Sequence, residues 1–222
     1  MTTGKFITFE GGEGSGKSTQ ARLLAERLRS RGLAMIETHE PGGSPFAEAM
    51  RKIILSAQTP PHTPLSEALL FNAARADHLE KTIRPALGLG SWVICDRFAD
   101  STRAYQGAAG GVSDAAITTL ESLVVGSSRP DLTLLLDLDP KVGLARADAR
   151  RKGSSAGATP GAFVAVDSYE GRRVEFHQRL RAGFRAIATA EPDRVTILDA
   201  MLNQASLADT IEAIVAKRFG LA

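Results

Sequence analysis

The chain has 222 residues, 43% hydrophobic and 23% charged, with 27 Lys+Arg against 25 Asp+Glu for a formal net charge of +2. This balance excludes a disordered, collagenous or coiled-coil chain and gives no reason to expect broad nucleic-acid binding. The single cysteine, Cys95, makes neither an internal disulfide nor a metal cluster; the N-terminus lacks a signal-peptide core, and no apolar run approaches the ~18 residues of a membrane span. A cytoplasmic protein with no membrane partner is the expectation, built as one domain over residues 1–222.

Lys5–Glu10 reads as a strand. Ser18–Arg31 reads as a helix, with Ala21, Leu24, Ala25 and Leu28 at i, i+3, i+4 and i+7 and Gly32 where a helix-ending glycine belongs. Leu33–Thr38 is a second strand. Pro45–Ser56 and Leu65–Leu89 look helical, the latter bent or broken near Pro85. Ser91–Asp96 is a third strand, and Asp114–Val125 a helix with Ser113 as N-cap. Leu132–Leu138 is nearly all apolar, as expected of a strand buried on both faces. Pro140 opens another helix, Arg194–Leu198 is a fifth strand, and Leu207–Phe219 closes the chain as a helix. This alternation predicts an α/β fold, a parallel sheet with helices on both faces. The segment Lys152–Ala165, rich in Gly, Ser and Ala and flanked by arginines, is either a surface loop or a mobile lid, inserted at about 150–168.

Gly11-Gly12-Glu13-Gly14-Ser15-Gly16-Lys17-Ser18 matches G-x-x-x-x-G-K-[ST] between a strand and a helix. Glycines let successive N–H groups point inward at phosphate oxygens, and the helix start aims its positive end at the same anion. Lys17 can reach terminal phosphates, and the Ser18 hydroxyl can ligate Mg²⁺. This implies ATP or another nucleoside triphosphate. A GTPase would need an Asn-Lys-x-Asp segment, yet neither Asn72 nor Asn203 starts one. The four histidines have no ligand spacing.

Four further motifs occur in order: Glu40-Pro41-Gly42-Gly43, Phe71-Asn72-Ala73-Ala74-Arg75, Asp96-Arg97-Phe98 and Ala104-Tyr105-Gln106-Gly107. With the phosphate loop, this set resembles the thymidylate kinase family over nearly the whole chain. The resemblance implies a five-stranded parallel sheet of order 2-3-1-4-5, a three-layer P-loop kinase fold and a homodimer. It implies ATP and Mg²⁺ as donor and cofactor, dTMP as acceptor, and in-line phosphoryl transfer to give dTDP.

By this resemblance Gly11–Ser18 with Thr19 bind ATP, and Arg146 lies near the adenine. Arg97, with Arg51, holds the dTMP phosphate; Phe71 stacks on the thymine, and Arg75, at i+4, donates to a base carbonyl. Thr102 and Gln106 face the base, Tyr105 packs beneath the deoxyribose, and Glu40 joins the substrate site. Glu13 contacts the sugar or positions the acceptor phosphate, and Asp96 orients Mg²⁺ or its waters. Gly14 stands where some relatives place a loop arginine, so the lid is expected to supply one, with Arg150 the leading candidate and Arg172 or Arg173 as substitutes. His39 and Gly110-Gly111 stand where the family usually carries arginines. Taken singly, Phe71 reads as core and Arg75 as a solvated helix charge, and Asp96 could cap the following turn. Other nucleoside monophosphate kinases and a non-catalytic ATP switch remain alternative readings. The Arg146–Lys152 cluster is too short, and too poor in aromatics, for nucleic-acid binding.

Overall fold

Successive strand residues point to opposite faces, and here the period-2 pattern separates two cores. A computed structural model describes residues 4–56, 58–155 and 172–221. Its strands are β1 (Phe6–Glu10), β2 (Met35–His39), β3 (Trp92–Asp96), β4 (Leu132–Asp137) and β5 (Val195–Asp199). They form one sheet of order β2-β3-β1-β4-β5 with parallel pairing throughout, as the resemblance implied. Ile7 and Phe9 of β1, with Leu132, Leu134 and Leu136 of β4, bury themselves under α1 (Lys17–Ser30) and α9 (Gln204–Phe219). The intervening residues Phe6, Thr8, Glu10, Thr133 and Leu135 therefore belong to the opposite face.

That face is covered by α3 (Pro64–His78), α4 (Arg84–Gly88), α5 (Ala99–Thr102) and α8 (Val174–Ala190). The helices α2 (Pro45–Leu55), α6 (Asp114–Val124) and α7 (Pro140–Ser155) complete the described α-helices. The bend expected near Pro85 is a π-turn, Leu79–Ile83, in which Arg84 N–H donates to Leu79 O. Proline lacks an N–H and crowds the carbonyl four residues back, and the widened turn relieves both defects.

Two elements went unassigned in the sequence. The first is α8, although Phe176, Leu180, Phe184 and Ile187 carry its buried stripe. The second is α5 and the π-helical segment Arg103–Ala109 that continues it. Boundaries shift by one to three residues elsewhere; α9 begins at Gln204 because Asn203 caps it, accepting from Ser206 N at 2.9 Å. The proposed lid lies outside the described residues from 156 onward, while Arg150 falls on α7.

Candidate active site

β1 ends at Glu10, and the chain turns through Gly11–Gly16 into α1. A Cβ on Gly14 (φ +67°) would lie 2.1 Å from Gly143 O of α7, so this turn requires glycine on two counts. The helices α2, α3, α6 and α9 are capped by Ser44, Thr63, Ser113 and Asn203, whereas α1 has no side-chain cap. Its first N–H groups thus face the loop, the geometry of an anion cradle. Lys17 Nζ donates to Gly12 O at 2.7 Å and to Ser15 Oγ at 3.3 Å. Burial, with the charge of Arg97, lowers the Lys17 pKa to about 8.

The C-terminal end of β3 faces this cradle. Ser18 Oγ donates to Asp96 Oδ2, while Asp96 Oδ1 is buried without a hydrogen-bond partner among the described residues. A hydroxyl beside an unsatisfied carboxylate oxygen suits a hard cation such as Mg²⁺. Arg97 adopts φ +69°, the only described non-glycine residue with positive φ. Its Nη2 donates to Glu13 Oε1 at 2.7 Å and its Nη1 to Gly11 O at 3.1 Å and Ser101 Oγ at 3.3 Å. The guanidinium lies 5.1 Å from the Tyr105 ring centroid, and Tyr105 OH donates to Glu13 Oε1 at 2.6 Å. Burial pushes the Glu13 carboxyl up, but Arg97, Lys17 and the Tyr105 bond outweigh it and hold the pKa at about 2.

Glu10 was not singled out in the sequence. It is 1% exposed and accepts from Phe98 N at 2.8 Å, Ser101 N at 3.2 Å and Ser101 Oγ at 2.6 Å. It therefore anchors the turn that carries Arg97. Burial, then the charge of Asp100, raises its pKa to about 7. A charged residue closing an apolar strand was the available signal.

The rest of the site comes from α2, α3 and the 99–109 segment. Arg51 Nη1 donates to Pro41 O at 2.7 Å, and Phe71 and Leu55 both pack against the core that contains Tyr105. Arg75, 2% exposed, sits behind this wall. It donates to Glu40 Oε2 at 2.8 Å, Phe98 O at 3.1 Å and Thr102 Oγ1 at 3.0 Å, tying α3 to both neighbouring loops. His39, where an arginine was usual, lies 3.0 Å from Glu48 Oε1.

One cleft of about 580 Å³ joins these groups. Glu13, Gly14, Gly16, Lys17, Ser18 and Thr19 line it together with Glu40, Arg51, Phe71, Thr102, Tyr105 and Gln106; Asp96, Arg97 and Arg150 complete the set. Gly11, Gly12, Ser15, Arg75 and Arg146 are not on its wall. Arg146 Nη1 donates instead to Ala200 O at 3.0 Å, beside β5. Arg172 pairs with Glu67 at 2.9 Å.

A parallel sheet carrying a phosphate cradle, with a basic and aromatic pocket opening into the same cleft, defines a P-loop phosphotransferase. The family model described as thymidylate kinase matches residues 9–211. The thymidylate kinase of Caulobacter vibrioides is 48% identical over 221 residues, covering 100% of both chains. That of Bradyrhizobium diazoefficiens is 50% identical over 197 residues, covering 89% of this chain and 82% of its own. The crystal structure of thymidylate kinase from Ehrlichia chaffeensis superposes with a TM-score of 0.74 at 33% identity, covering 96% of this chain and 98% of its own. The chain belongs to the thymidylate kinase family.

Proposed function

We infer that this chain phosphorylates dTMP to dTDP with ATP as the phosphoryl donor. Family membership supports the activity. The observation that carries the site assignment is the single cleft shared by Lys17 and the Phe71–Arg97 wall. The triphosphate lies in the Gly11–Ser18 loop, on the α1 N-terminus and Lys17. Phe71 covers the face of the thymine ring, Thr102 and Gln106 meet its edge, and Tyr105 supports the deoxyribose. Arg97, with Arg51, holds the dTMP phosphate. Glu40 lines the cleft, and Arg75 braces it from behind.

A dianionic phosphate is already a nucleophile, so the chain's residues position and neutralise rather than abstract a proton. Arg97 aims the acceptor, with Glu13 fixing its guanidinium. Lys17 and Arg150 offset charge on the transferring group. Asp96 and Ser18 are the residues that would hold Mg²⁺; when bound, the ion would neutralise negative charge on the transferring group. Closure over the cleft would exclude water as a competing acceptor.

Exposed Phe46 and Ile53 on α2, at i and i+7, and Leu65 and Leu69 on the adjoining α3, at i and i+4, support a homodimer through these helices. No described helix is long and apolar enough to cross a membrane. A coupled ADP-release assay over dTMP, dUMP, dCMP, dGMP, AMP and thymidine tests the reading. Best activity on dTMP is expected. A different preferred acceptor defeats the substrate assignment, and ATP binding with no dTMP-dependent ADP release favours a switch.

A further inference from the structure

Glu67 is a buried carboxylate, 5% exposed, that plays no part in the reading above. It lies on α3 at i−4 from Phe71, on the same side of the helix. Its two oxygens have separate partners. Oε1 accepts from Arg172 Nη2 at 2.9 Å and lies 3.3 Å from His62 Nε2. Oε2 accepts from Gln106 Nε2 at 3.0 Å. Arg172 is itself steadied by the Phe176 ring, 4.6 Å from its guanidinium carbon.

Gln106 is 1% exposed and lines the cleft. A primary amide has one donating and one accepting end of nearly equal shape, and its neighbours decide which way it turns. A carboxylate only accepts, so the end of Gln106 beside Glu67 must be the NH₂ group. The reversed amide would set two oxygens against each other in a buried place, which is costly. Arg172 and His62 hold Oε1, which leaves Oε2 in place to make this selection.

We propose that Glu67 is a positioning residue for base specificity: it pins the Gln106 amide with its nitrogen inward, so that the side chain offers the nucleobase an acceptor and not a donor. The proposal rests on the reading that the acceptor base lies against Phe71 and Gln106. A fixed acceptor matches a ring whose N3 carries hydrogen, as in thymine and uracil. Cytosine has a bare lone pair at N3, and the same acceptor repels it. Discrimination by a buried hydrogen-bonding group is far steeper than discrimination by pocket size.

The test is the ratio of kcat/KM for dTMP to that for dCMP. In E67Q the residue beside Gln106 can donate or accept, so the amide is free to reverse. We expect the ratio to fall by at least about tenfold, with KM for ATP unchanged within about twofold. In the swapped pair E67Q/Q106E, the amide introduced on α3 donates to one oxygen of the new carboxylate and leaves the other for N3–H. That pair is expected to return the ratio to within about threefold of the parent value, a rescue that a merely structural role would not produce. An unchanged ratio in E67Q, or a swapped pair that stays at the E67Q ratio, overturns the pinning role. Should E67Q fail to fold by circular dichroism, the swapped pair decides alone: a parent-like ratio supports pinning and a collapsed ratio overturns it. A parent enzyme with no preference for dTMP over dCMP instead overturns the substrate assignment, and this proposal with it.

Discussion

A Cβ added to Gly14 would lie 2.1 Å from the carbonyl oxygen of Gly143, so the phosphate loop and α7 meet backbone to backbone. This contact, with φ +67° at Gly14, is why the loop carries no side chain there. Gly14→Ala is expected to lower the melting temperature by about 2–12 °C, from roughly 1–3 kcal/mol of strain. Gly12 provides the contrast, since nothing lies within 4 Å of its Cβ direction. Gly12→Ala should shift the transition by less than about 2 °C. Calorimetry on the two variants checks the difference, and equal melting temperatures would remove the claim.

Glu13 and Glu10 make opposite demands on pH. Burial raises Glu13, yet Arg97, Lys17 and Tyr105 hold it at about 2 against an ordinary 4.5. Its folded value lies below the unfolded one, so its stabilisation is complete above pH 4.5 and is lost as pH falls toward 2. Burial and Asp100 hold Glu10 at about 7, so the unfolded chain releases that proton first, and stability falls as pH rises from 4.5 to 7. Each displacement corresponds to roughly 3 kcal/mol. Urea denaturation of the parent and Glu10→Gln at pH 4.5 and 7.5 reads the second effect. The parent should lose about 3 kcal/mol relative to the variant over that range. Parallel curves would show that Glu10 does not titrate there.

The phosphate loop and the order of strands and helices were legible because each rests on local signals. Glycines fix the loop, and near-continuous apolar runs such as Leu132–Leu136 mark the strands. The resemblance added the strand order, which no local pattern contains. Less visible were groups whose meaning depends on a distant partner. Glu10 gains its role from Phe98 and Ser101, about ninety positions away along the chain. Arg75 was placed on the substrate side by its i+4 spacing from Phe71, but Glu40 and Thr102 draw its guanidinium behind the wall. The α8 stripe is regular in the sequence, but the glycine-rich stretch before it obscures where a new element begins.

Arg97 is held on one edge by Glu13 and above the Tyr105 ring, which suits a planar fork and not a point charge. Arg97→Lys keeps the charge and loses the fork. A charge-assisted hydrogen bond is worth about 1.5–3 kcal/mol, so kcat/KM for dTMP should fall about 10–150-fold, with KM for ATP changed less than about threefold. Steady-state kinetics with each substrate varied in turn separates the two. A loss falling mainly on ATP would mean that Arg97 serves the donor instead.

Arg150 and Arg146 stand one helical turn apart on α7 yet meet different surroundings. Arg150 lines the cleft with Lys17 and Arg97, whereas Arg146 is turned to the Ala200 carbonyl. If Arg150 offsets charge that develops only during transfer, its removal lowers kcat while leaving ground-state binding nearly intact. Related chemistry gains ~10³–10⁵ from a delivered arginine, so Arg150→Ala should cost at least about tenfold in kcat, with KM for dTMP within about threefold. Arg146→Ala should instead act on KM for ATP. Single-turnover measurements with dTMP and saturating ATP isolate the transfer step. A loss under about threefold for Arg150→Ala would take the role from it. Arg172 is already engaged with Glu67 and the Phe176 ring, so Arg173 would then be the basic residue to examine next.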